Sequence, residues 1–471
     1  MSTLSARALA TLLAGWRDAG VAYAALADRI RLLILDGRIP TGTRLPAERE
    51  LAAQLGVSRT TVTAAYAELR ATSHVQSTRG SGSVAQLPHR PTVTIDGSSP
   101  DLLDFSKATM PAAPQVTAAA AAASEELPRF LGESGFDPYG LSVLRESIAD
   151  RYTARGLPTN AEQVMVTIGA QHAIALIART VMGRGDRAII EHPTYPHALD
   201  ALRTAGARVL PVSVTTDEGW DAPALEQAIQ RSSPALAYLM PDNHNPTGRT
   251  MPEEQREWLL ALAARHGTTI VADETMAELG LDGQQSPIPM AAHGSAILVG
   301  SVGKTVWGGL RIGWIRADRT IIQRLVRARS SGDLGTPLLE QLIVAHLLRD
   351  FDAILEERRQ LLIEGRDRLT RLLRERLPEW RVPHTSGGLT SWINLGEPVS
   401  SQLAIASRNE GLVVAAGPRF GVDGAFERFI RVPFSYSADE TSRAVDALAR
   451  AWATVMRYPV PTAADDLAAV V

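Results

Sequence analysis

Lysine is rare in this chain, and its two occurrences draw attention to amine chemistry. Among 471 residues, the 48 basic side chains include only Lys107 and Lys304, and all the others are arginines. A lysine amine condenses with an aldehyde to form an imine, which an arginine guanidinium cannot do. Lys304 is therefore a candidate for covalent chemistry, with chance retention of two lysines as the alternative.

Lys304 stands in a series of polar motifs that follow apolar, strand-like segments. The motifs are PDNHNPTG, VADETMAEL, GSVGKTVWGGLRIGW and FIRVPF, and their polar side chains include Asn245, Asp273, Ser301, Lys304, Arg311 and Arg431. Asn245, Asp273 and Ser301 follow one another at intervals of 28 residues. Because ligands bind at the carboxyl ends of the strands in open α/β sheets, the motifs predict one shared site.

Two further motifs belong to the same pattern. TIGAQHA places a turn of small residues, Gly169-Ala170-Gln171, before a helical segment, and HPTYP places Tyr195 just after a strand. A helix N-terminus offers free N–H groups to a phosphate. An aromatic ring can stack on a flat heterocycle.

Pyridoxal 5′-phosphate (PLP) accounts for these residue types. Its aldehyde needs the amine of Lys304. Its phosphate dianion needs N–H groups and a cation, which predicts contacts from Gly169, Ala170, Gln171, Ser301 and Arg311.

The remaining residues match the ring of PLP and an amino-acid ligand. Asp273 would keep the pyridine nitrogen protonated, and Asn245 would donate to the phenolic oxygen. Tyr195 would stack on the ring, and Arg431 would bind a carboxylate through its forked cation. Taken singly, each has a plainer explanation: a common turn, a helix cap, a core aromatic or a structural ion pair.

In combination, the motifs resemble the class I aminotransferases of PLP fold type I, over residues 101–459. Those enzymes have a tyrosine three residues after the aspartate, which donates a second hydrogen bond to the phenolic oxygen, and this chain has Met276 there. The loss of that bond should raise the pKa of the imine and weaken proton-transfer chemistry, while cofactor binding should survive. The segment SGFDPYGLSVLR resembles the substrate loop, but the expected tyrosine is displaced or replaced by Phe136, and Tyr139 is not assigned that role.

The elements that must position these residues alternate between strands and helices, which predicts an α/β domain with a largely parallel, buried sheet. The predicted strands are Gln163–Ile168, Arg187–Ile190, Leu236–Met240, Thr268–Ala272 and Ala296–Val299. From about residue 332, a smaller α/β subdomain is predicted. It should contain a long helix from Leu338 to Leu377 and strands around Gly387–Leu395 and Phe429–Pro433.

Residues 1–86 predict a separate domain of three helices and a hairpin, which is a winged helix-turn-helix. The helices should begin near Ala24, Pro46 and Ser58, and the hairpin should span His74 to Ala85. Residues 1–90 carry a net charge of +5 in a chain whose net charge is −3, so the rest carries −8. A basic N-terminal segment is typical of polyanion binding, although the net charge alone is weak evidence for it. Residues 87–100 predict an extended linker.

The stretch LPAERELAAQLGVSRTTVTAAYAEL resembles the GntR family of regulators, over about residues 22–86. The resemblance implies that the helix from Ser58 to Leu69 enters the major groove of DNA. The DNA contacts that it implies are Arg49, Ser58, Arg59, Thr60 and Thr61, with Arg79 and Gly80 in the wing. The plainer alternative is that Arg49 pairs with an acid such as Glu48 and that the arginines are solvated.

A GntR-like head on an aminotransferase-like body resembles the MocR/GabR regulators across the whole chain. The family implies a homodimer in which the head of one subunit packs on the body of the other. It also implies that a small amine or amino acid, or PLP itself, acts as the effector. Two alternatives stay open: an active aminotransferase with an accessory head, and a DNA-binding scaffold with a cofactor-free body.

The sequence also argues against disulfide-bonded, metal-binding and membrane-spanning proteins. The chain has no cysteine, so disulfides and cysteine metal sites are excluded. Its ten histidines show no ligand spacing, and no metal site is predicted. No apolar run is long enough for a membrane span, and no signal peptide is recognised, which favours a cytoplasmic protein.

Overall fold

The structure is a computed structural model that describes residues 3–13, 16, 22–35, 38–40, 42–72, 74–78, 82–86, 102–283, 286–422 and 424–457. Two predicted features lie outside these residues: the wing pair Arg79 and Gly80, and the linker of residues 87–100. Helices and strands are numbered in chain order.

The N-terminal head contains α1 (Ala6–Leu12), α2 (Ala22–Leu35), α3 (Glu48–Leu55), α4 (Arg59–Ala71), β1 (Val75–Thr78) and β2 (Gly82–Ala85). Gly56 ends α3 with a φ of 62°, a conformation that glycine adopts without steric strain. Ser58 caps α4, because its hydroxyl accepts the Thr61 N–H at 3.1 Å. Apolar residues of all four helices join one core. Helices α2 to α4 with the hairpin form the winged helix-turn-helix, and α1 is an addition that the sequence did not indicate.

The body contains the remaining helices and strands. Its helices are α5 (Gln115–Glu126), α6 (Ser142–Ala154), α7 (Gly169–Val181), α8 (Pro196–Thr204), α9 (Ala222–Ser232), α10 (Glu253–His266), α11 (Arg319–Arg329), α12 (Leu338–Leu347), α13 (Phe351–Arg376), α14 (Ser400–Asn409) and α15 (Ala438–Arg457). Its strands are β3 (Leu103–Asp104), β4 (Val164–Thr167), β5 (Arg187–His192), β6 (Arg208–Thr215), β7 (Gly219–Trp220), β8 (Leu236–Leu239), β9 (Thr269–Asp273), β10 (Ile297–Ser301), β11 (Gly313–Arg316), β12 (Thr390–Asn394), β13 (Leu412–Val413), β14 (Ala415–Ala416) and β15 (Phe429–Pro433).

Eight strands form the main sheet in the order β4-β11-β10-β9-β8-β5-β6-β7. The five strands from β10 to β6 are parallel, whereas β11 is antiparallel to both neighbours and β7 is antiparallel to β6. Ile189 of β5 belongs to one apolar cluster, and its neighbours Ala188 and Ile190 belong to another. Since successive side chains of a strand point to opposite faces, both faces of the sheet are buried. The predicted α/β class with a largely parallel sheet is confirmed.

The C-terminal part differs from the sequence prediction in its long helix and in the short strands β13 and β14, which the sequence did not indicate. The expected long helix is two helices, α12 and α13, separated by a 3₁₀ turn at Leu348–Asp350. No glycine or proline marks this break, so the helical pattern runs through it in the sequence. Strands β12, β15 and β14 form a small antiparallel sheet that carries Arg431.

None of the helices in the described ranges is long and apolar enough to cross a membrane.

Candidate functional site

The structure separates the two lysines clearly. Lys304 follows β10, and its Nζ donates a hydrogen bond to the Ala108 carbonyl at 2.6 Å. Burial lowers the pKa of Lys304 to about 8, the nearby Arg431 charge acts in the same direction, and Asp273 acts against both. Lys107 is exposed and pairs with Asp104 at 3.0 Å. Lys304 is thus the lysine whose environment favours a neutral, nucleophilic amine.

Asp273 ends β9 and is buried beside this lysine's strand. Its carboxylate accepts the Tyr238 hydroxyl at 2.6 Å and the Thr275 N–H at 3.0 Å. Burial raises the pKa of Asp273 above its usual value, and the two hydrogen bonds act against this shift. Tyr238, on the adjacent strand β8, was not identified from the sequence, because nothing in its apolar strand marks it as a polar partner.

The first residues of α7 allow a close approach of backbone groups. Gly169 has a φ of 75°, and a Cβ there would lie 2.9 Å from Nη2 of Arg311. A Cβ on Gly313 would lie 2.7 Å from the Ala170 nitrogen, so β11 can pack under this turn only with glycine. Arg311 itself has a left-handed φ of 53°, and its guanidinium donates to the Ile168 carbonyl at 3.2 Å. The helix N-terminus and the exposed cation lie together, as a phosphate site requires.

Ser301 and Gln171 have different surroundings from those that the sequence suggested. The Ser301 hydroxyl donates to the Ile312 carbonyl at 2.9 Å and accepts the Gly303 N–H at 3.0 Å. Its only proton is therefore used inside the turn that leads to Lys304, and a phosphate contact would require it to rotate. The Gln171 amide donates to the His197 carbonyl at 3.0 Å.

His172 braces the same turn and was missed by sequence reasoning. Its Nδ1 accepts the Ile168 N–H at 3.2 Å, and its Nε2 lies 3.0 Å from the carboxylate of Asp333. Burial lowers the pKa of His172, although Asp333 acts against this shift. Because Asp333 is 161 residues away in the chain, no local motif could reveal the pair.

Asn245 and Tyr195 lie on the strand-end loops as predicted. Asn245 follows β8 and is buried, and its Oδ1 has no hydrogen-bond partner among the described residues. Tyr195 is half-buried at the start of α8. Burial raises the pKa of Tyr195 to about 12, Asp273 acts in the same direction, and the charges of Arg431 and Arg311 act against both. Tyr195 is therefore close enough to these three groups to feel their charge.

Arg431 is a buried cation whose counter-ion the described part of the chain does not supply. The residue is 6% exposed, donates one hydrogen bond to the Ser106 carbonyl and stacks over the Phe420 ring at 4.9 Å. Its Nε has no partner, and no carboxylate of the described residues lies within ion-pair distance. Burial lowers the pKa of Arg431 to about 10. A buried charge without a partner points to an anion supplied from outside.

Met276 occupies the position at which the related aminotransferases have a tyrosine. Met276 is buried in the apolar core, and its carbonyl accepts the side-chain amide of Asn243 at 2.8 Å. A thioether has no proton to donate, so this position cannot give the hydrogen bond of a tyrosine. Phe136 is exposed, and Tyr139 is half-buried under the Arg145 guanidinium at 5.8 Å.

In the head, polar groups collect at the exposed start of α4. The Ser58 hydroxyl lies 2.7 Å from the Thr60 hydroxyl and 2.8 Å from that of Thr61. The Arg59 side chain is 73% exposed and lies 3.9 Å from Glu48, which also accepts the Thr63 hydroxyl. Arg49 is exposed and forms no ion pair within the described residues.

One group of side chains could hold a metal ion within the described ranges. Glu253, Glu257 and His293 bring three ligand atoms within 4.8 Å of one another. Both glutamates are mostly exposed, and their carboxylates lie 3.9 and 3.7 Å from Nδ1 of His293. We assign no metal to it.

The body residues fit PLP. Arg431 Nε has no partner among the described residues and is a polar atom that a ligand would face, and Gly169 and Gly313 keep the N-terminus of α7 free of side chains. The pKa of Lys304 is lowered and that of Asp273 is raised, and Lys304 feels the Asp273 charge. The donor set therefore matches an aldehyde, a phosphate, a pyridine and a carboxylate.

Comparison with known proteins is consistent with this division into two parts. Residues 102–448 match the family model described as aminotransferase class I and II, and residues 22–84 match the bacterial regulatory proteins of the gntR family. The chain is 28% identical over 441 residues to an uncharacterized HTH-type transcriptional regulator, YdcR, of Escherichia coli, covering 87% of this chain and 94% of that protein. It is 30% identical over 327 residues to a 2-aminoadipate transaminase of Thermus thermophilus, covering 66% of this chain and 81% of the transaminase.

The solved structures that resemble the body include an enzyme with a bound cofactor adduct. This is α-aminoadipate aminotransferase LysN from Thermus thermophilus, complexed with N-(5′-phosphopyridoxyl)-L-leucine. The TM-score is 0.69 at 28% identity, and the match covers 76% of this chain and 93% of that chain.

Proposed function

Because the chain belongs to the class I and II aminotransferases and carries a head of the gntR family of bacterial regulatory proteins, we propose that it is a PLP-dependent transcription regulator. The head, in residues 1–86, binds an operator in duplex DNA, and the body, from residue 101 to about 459, binds PLP and an amine effector. The observation that supports this proposal is the buried Lys304, whose pKa is lowered and which feels the charges of Arg431 and Asp273, in a chain that also has a winged helix-turn-helix.

In the head, α4 would lie in the major groove. The exposed Ser58, Arg59 and Thr60 at its start are placed to reach base edges and phosphates, and Arg49 on α3 is free to neutralise a phosphate. The wing residues Arg79 and Gly80 would contact the adjoining backbone, as the family resemblance implies.

In the body, PLP supplies an electrophilic aldehyde and a ring that withdraws electrons. Lys304 would hold the aldehyde, and Asp273 would keep the ring nitrogen protonated. Asn245 would donate to the phenolic oxygen, and Tyr195 would cover the ring. Gly169, Ala170 and Gln171 would bind the phosphate through their N–H groups, assisted by Arg311 and, after rotation of its hydroxyl, Ser301.

The effector is an amino acid or an analogue with a carboxylate, because no carboxylate among the described residues serves as a counter-ion to Arg431. Exchange of an effector amine for Lys304 needs only the lysine, the amine and the aldehyde. Full transamination also needs a tuned imine and fast proton transfer, and Met276 cannot supply the tyrosine hydrogen bond. We therefore propose at most weak transaminase turnover.

The segment from Leu103 to Met110 could couple ligand binding in the body to the head. The Ala108 carbonyl accepts Lys304, the Ser106 carbonyl accepts Arg431, and the Thr109 carbonyl accepts Ser435. This segment directly follows the linker in the chain. Lys304 would hold the aldehyde of PLP with the same nitrogen that donates to Ala108, and an effector carboxylate would compete with the Ser106 carbonyl for Arg431. Both ligands would therefore change the hydrogen bonds that hold this segment.

The protein is proposed to act as a homodimer with head-to-tail exchange. Leu131, Phe136 and Leu334 are large apolar side chains that are 71%, 66% and 54% exposed. Arg329 links their two segments by donating to the Pro138 carbonyl at 2.8 Å. A second subunit would cover this surface.

A second candidate is a working aminotransferase with an accessory head. It is favoured by the complete set of Asn245, Asp273, Lys304 and Arg431 and by the 30% identity to a 2-aminoadipate transaminase. One experiment separates the two: the PLP-loaded protein is mixed with a panel of amines and amino acids while visible absorbance, keto-acid formation and operator affinity are followed together. The regulator gives a spectral shift and a changed DNA affinity with few turnovers. Sustained keto-acid production with unchanged DNA affinity would favour the enzyme.

A further inference from the structure

The loop between β8 and α10 is buried although it is rich in polar residues. All of residues 240–248 are buried. Buried polar groups are retained in proteins when they are paired. Asp242 pairs with Arg256 at 2.5 Å, and Asn243 donates to the Met276 carbonyl at 2.8 Å. Asn245 lies in this loop without such a partner for its Oδ1, so its neighbours must fix its position.

Glu191, on β5, is a fully buried carboxylate that the proposed chemistry does not use. It accepts the Trp220 indole N–H at 2.6 Å and the Met240 N–H at 3.0 and 2.9 Å. Met240 begins the loop that carries Asn245. The carboxylate therefore holds the start of the loop through the backbone.

His244 contacts the same carboxylate from the middle of the loop. Its Nε2 lies 3.2 Å from Glu191 Oε2, off the direction of a regular hydrogen bond, and neither side chain is more than 1% exposed. Its Nδ1 faces the Thr247 hydroxyl at 2.9 Å and accepts the Thr247 N–H at 3.4 Å. Because Nδ1 accepts, the ring proton is assigned to Nε2, where it faces the carboxylate.

We propose that Glu191 and His244 are positioning residues that hold Asn245 against the phenolic oxygen of PLP. The inference rests on the proposed cofactor. Asn245 directly follows His244, and the pair anchors the chain on one side of it while Thr247 anchors it on the other. With Met276 in the tyrosine position, Asn245 is the one side chain assigned to that oxygen. A displacement of Asn245 would therefore not be compensated by a second donor.

The test compares His244→Leu, His244→Gln and Glu191→Gln in the full chain. A hydrogen bond from Asn245 would stabilise the phenolate form of PLP and so favour loss of the proton from the imine with Lys304. Loss of this hydrogen bond should therefore raise the pKa of the imine, which is measured by visible absorbance. We expect His244→Leu to raise that pKa by about one unit and to weaken PLP binding to the apoprotein about tenfold. His244→Gln keeps a donor toward Glu191 and should restore most of both values. Glu191→Gln should change the spectral pKa and the PLP affinity in the same direction as His244→Leu.

The matched control is His346→Leu, which removes a histidine that lies 3.1 Å from Glu126 on α5. It should leave both readouts at their original values. If His244→Leu does not fold, Thr247→Val, which removes only the hydroxyl beside Nδ1, tests the same network. A folded His244→Leu protein with unchanged PLP affinity and spectral pKa would overturn the assignment. Failure of the unmodified chain to bind PLP at Lys304 would instead refute the proposed function.

Discussion

Replacement of Arg431 by methionine should leave the fold at least as stable and yet remove recognition of carboxylate effectors. The guanidinium is buried, has one hydrogen bond to Ser106, and lacks a counter-ion in the described part of the chain. An uncompensated buried ion costs several kcal/mol, whereas the lost hydrogen bond is worth about 1–3 kcal/mol. Methionine fills a similar volume, so we expect the free energy of unfolding of the apoprotein to rise by about 1–2 kcal/mol.

The same substitution should weaken carboxylate effectors strongly. A forked arginine–carboxylate contact has two charge-assisted hydrogen bonds, worth about 1.5–3 kcal/mol each. Their loss corresponds to about a hundredfold or more in the dissociation constant. The assay is a visible absorbance titration of the PLP-loaded protein with an amino acid and with the corresponding amine that lacks the carboxylate. The affinity for the amine should be unchanged.

Arg256→Met is the matched control, because Arg256 is buried equally well but has a counter-ion. It lies 2.5 Å from Asp242 and donates to the Met251 and Pro241 carbonyls. Its removal leaves a buried carboxylate unpaired and should cost about 3–5 kcal/mol of stability. If Arg431→Met is destabilised as much as Arg256→Met, Arg431 is a structural cation. If amine and amino-acid ligands weaken equally, Arg431 does not read the carboxylate.

Three further predictions address the cofactor, the DNA and the departure from the aminotransferase pattern. Lys304→Met should be colourless and unlabelled by borohydride, unlike Lys107→Met. Because the pKa of Lys304 is lowered from 10.5 to about 8, the unfolded chain binds more protons between these values. The apoprotein should therefore gain up to about 3 kcal/mol of stability as pH rises through that window, and Lys304→Met should lose this gain. Arg59→Ala should cost about 1–3 kcal/mol of operator affinity, unequally across operator variants, whereas an equal loss with a shallower salt slope would assign Arg59 to phosphates. Met276→Tyr should lower the pKa read from visible absorbance and raise transaminase turnover, and an unchanged pKa would show that the tyrosine hydroxyl does not reach the phenolic oxygen.

The sequence predicted the fold class, which the structure confirms, and it proposed candidate site residues because cofactor chemistry requires particular residue types at strand ends. It did not predict their partners. Tyr238 lies 35 residues from Asp273, and Asp333 lies 161 residues from His172. These pairs form only when the sheet assembles, and a polar residue within an apolar strand has no periodic signal. The Ser301 hydroxyl illustrates the same limit, because its acceptor is the backbone carbonyl of Ile312 in the same motif, and the residue types of a motif do not show which backbone carbonyl a hydroxyl faces.

A response to an effector requires fewer interactions at this site than catalytic turnover does. For regulation, the protein needs two conformations that differ in the segment from Leu103 to Met110, and the effector must bind one of them more tightly. A difference of about 1–3 kcal/mol between the two binding free energies is sufficient for allosteric coupling. The hydrogen bonds from Lys304 to Ala108 and from Arg431 to Ser106 each contribute a free energy of this order. PLP would bind the same Lys304 amine, and an effector carboxylate would bind the same Arg431 guanidinium. Binding free energies are reciprocal, so operator DNA should change effector affinity by the same factor as the effector changes DNA affinity. Turnover does not enter this relation, so under the proposed function the lack of a tyrosine hydrogen bond at Met276 would weaken catalysis and would still allow a response to an effector.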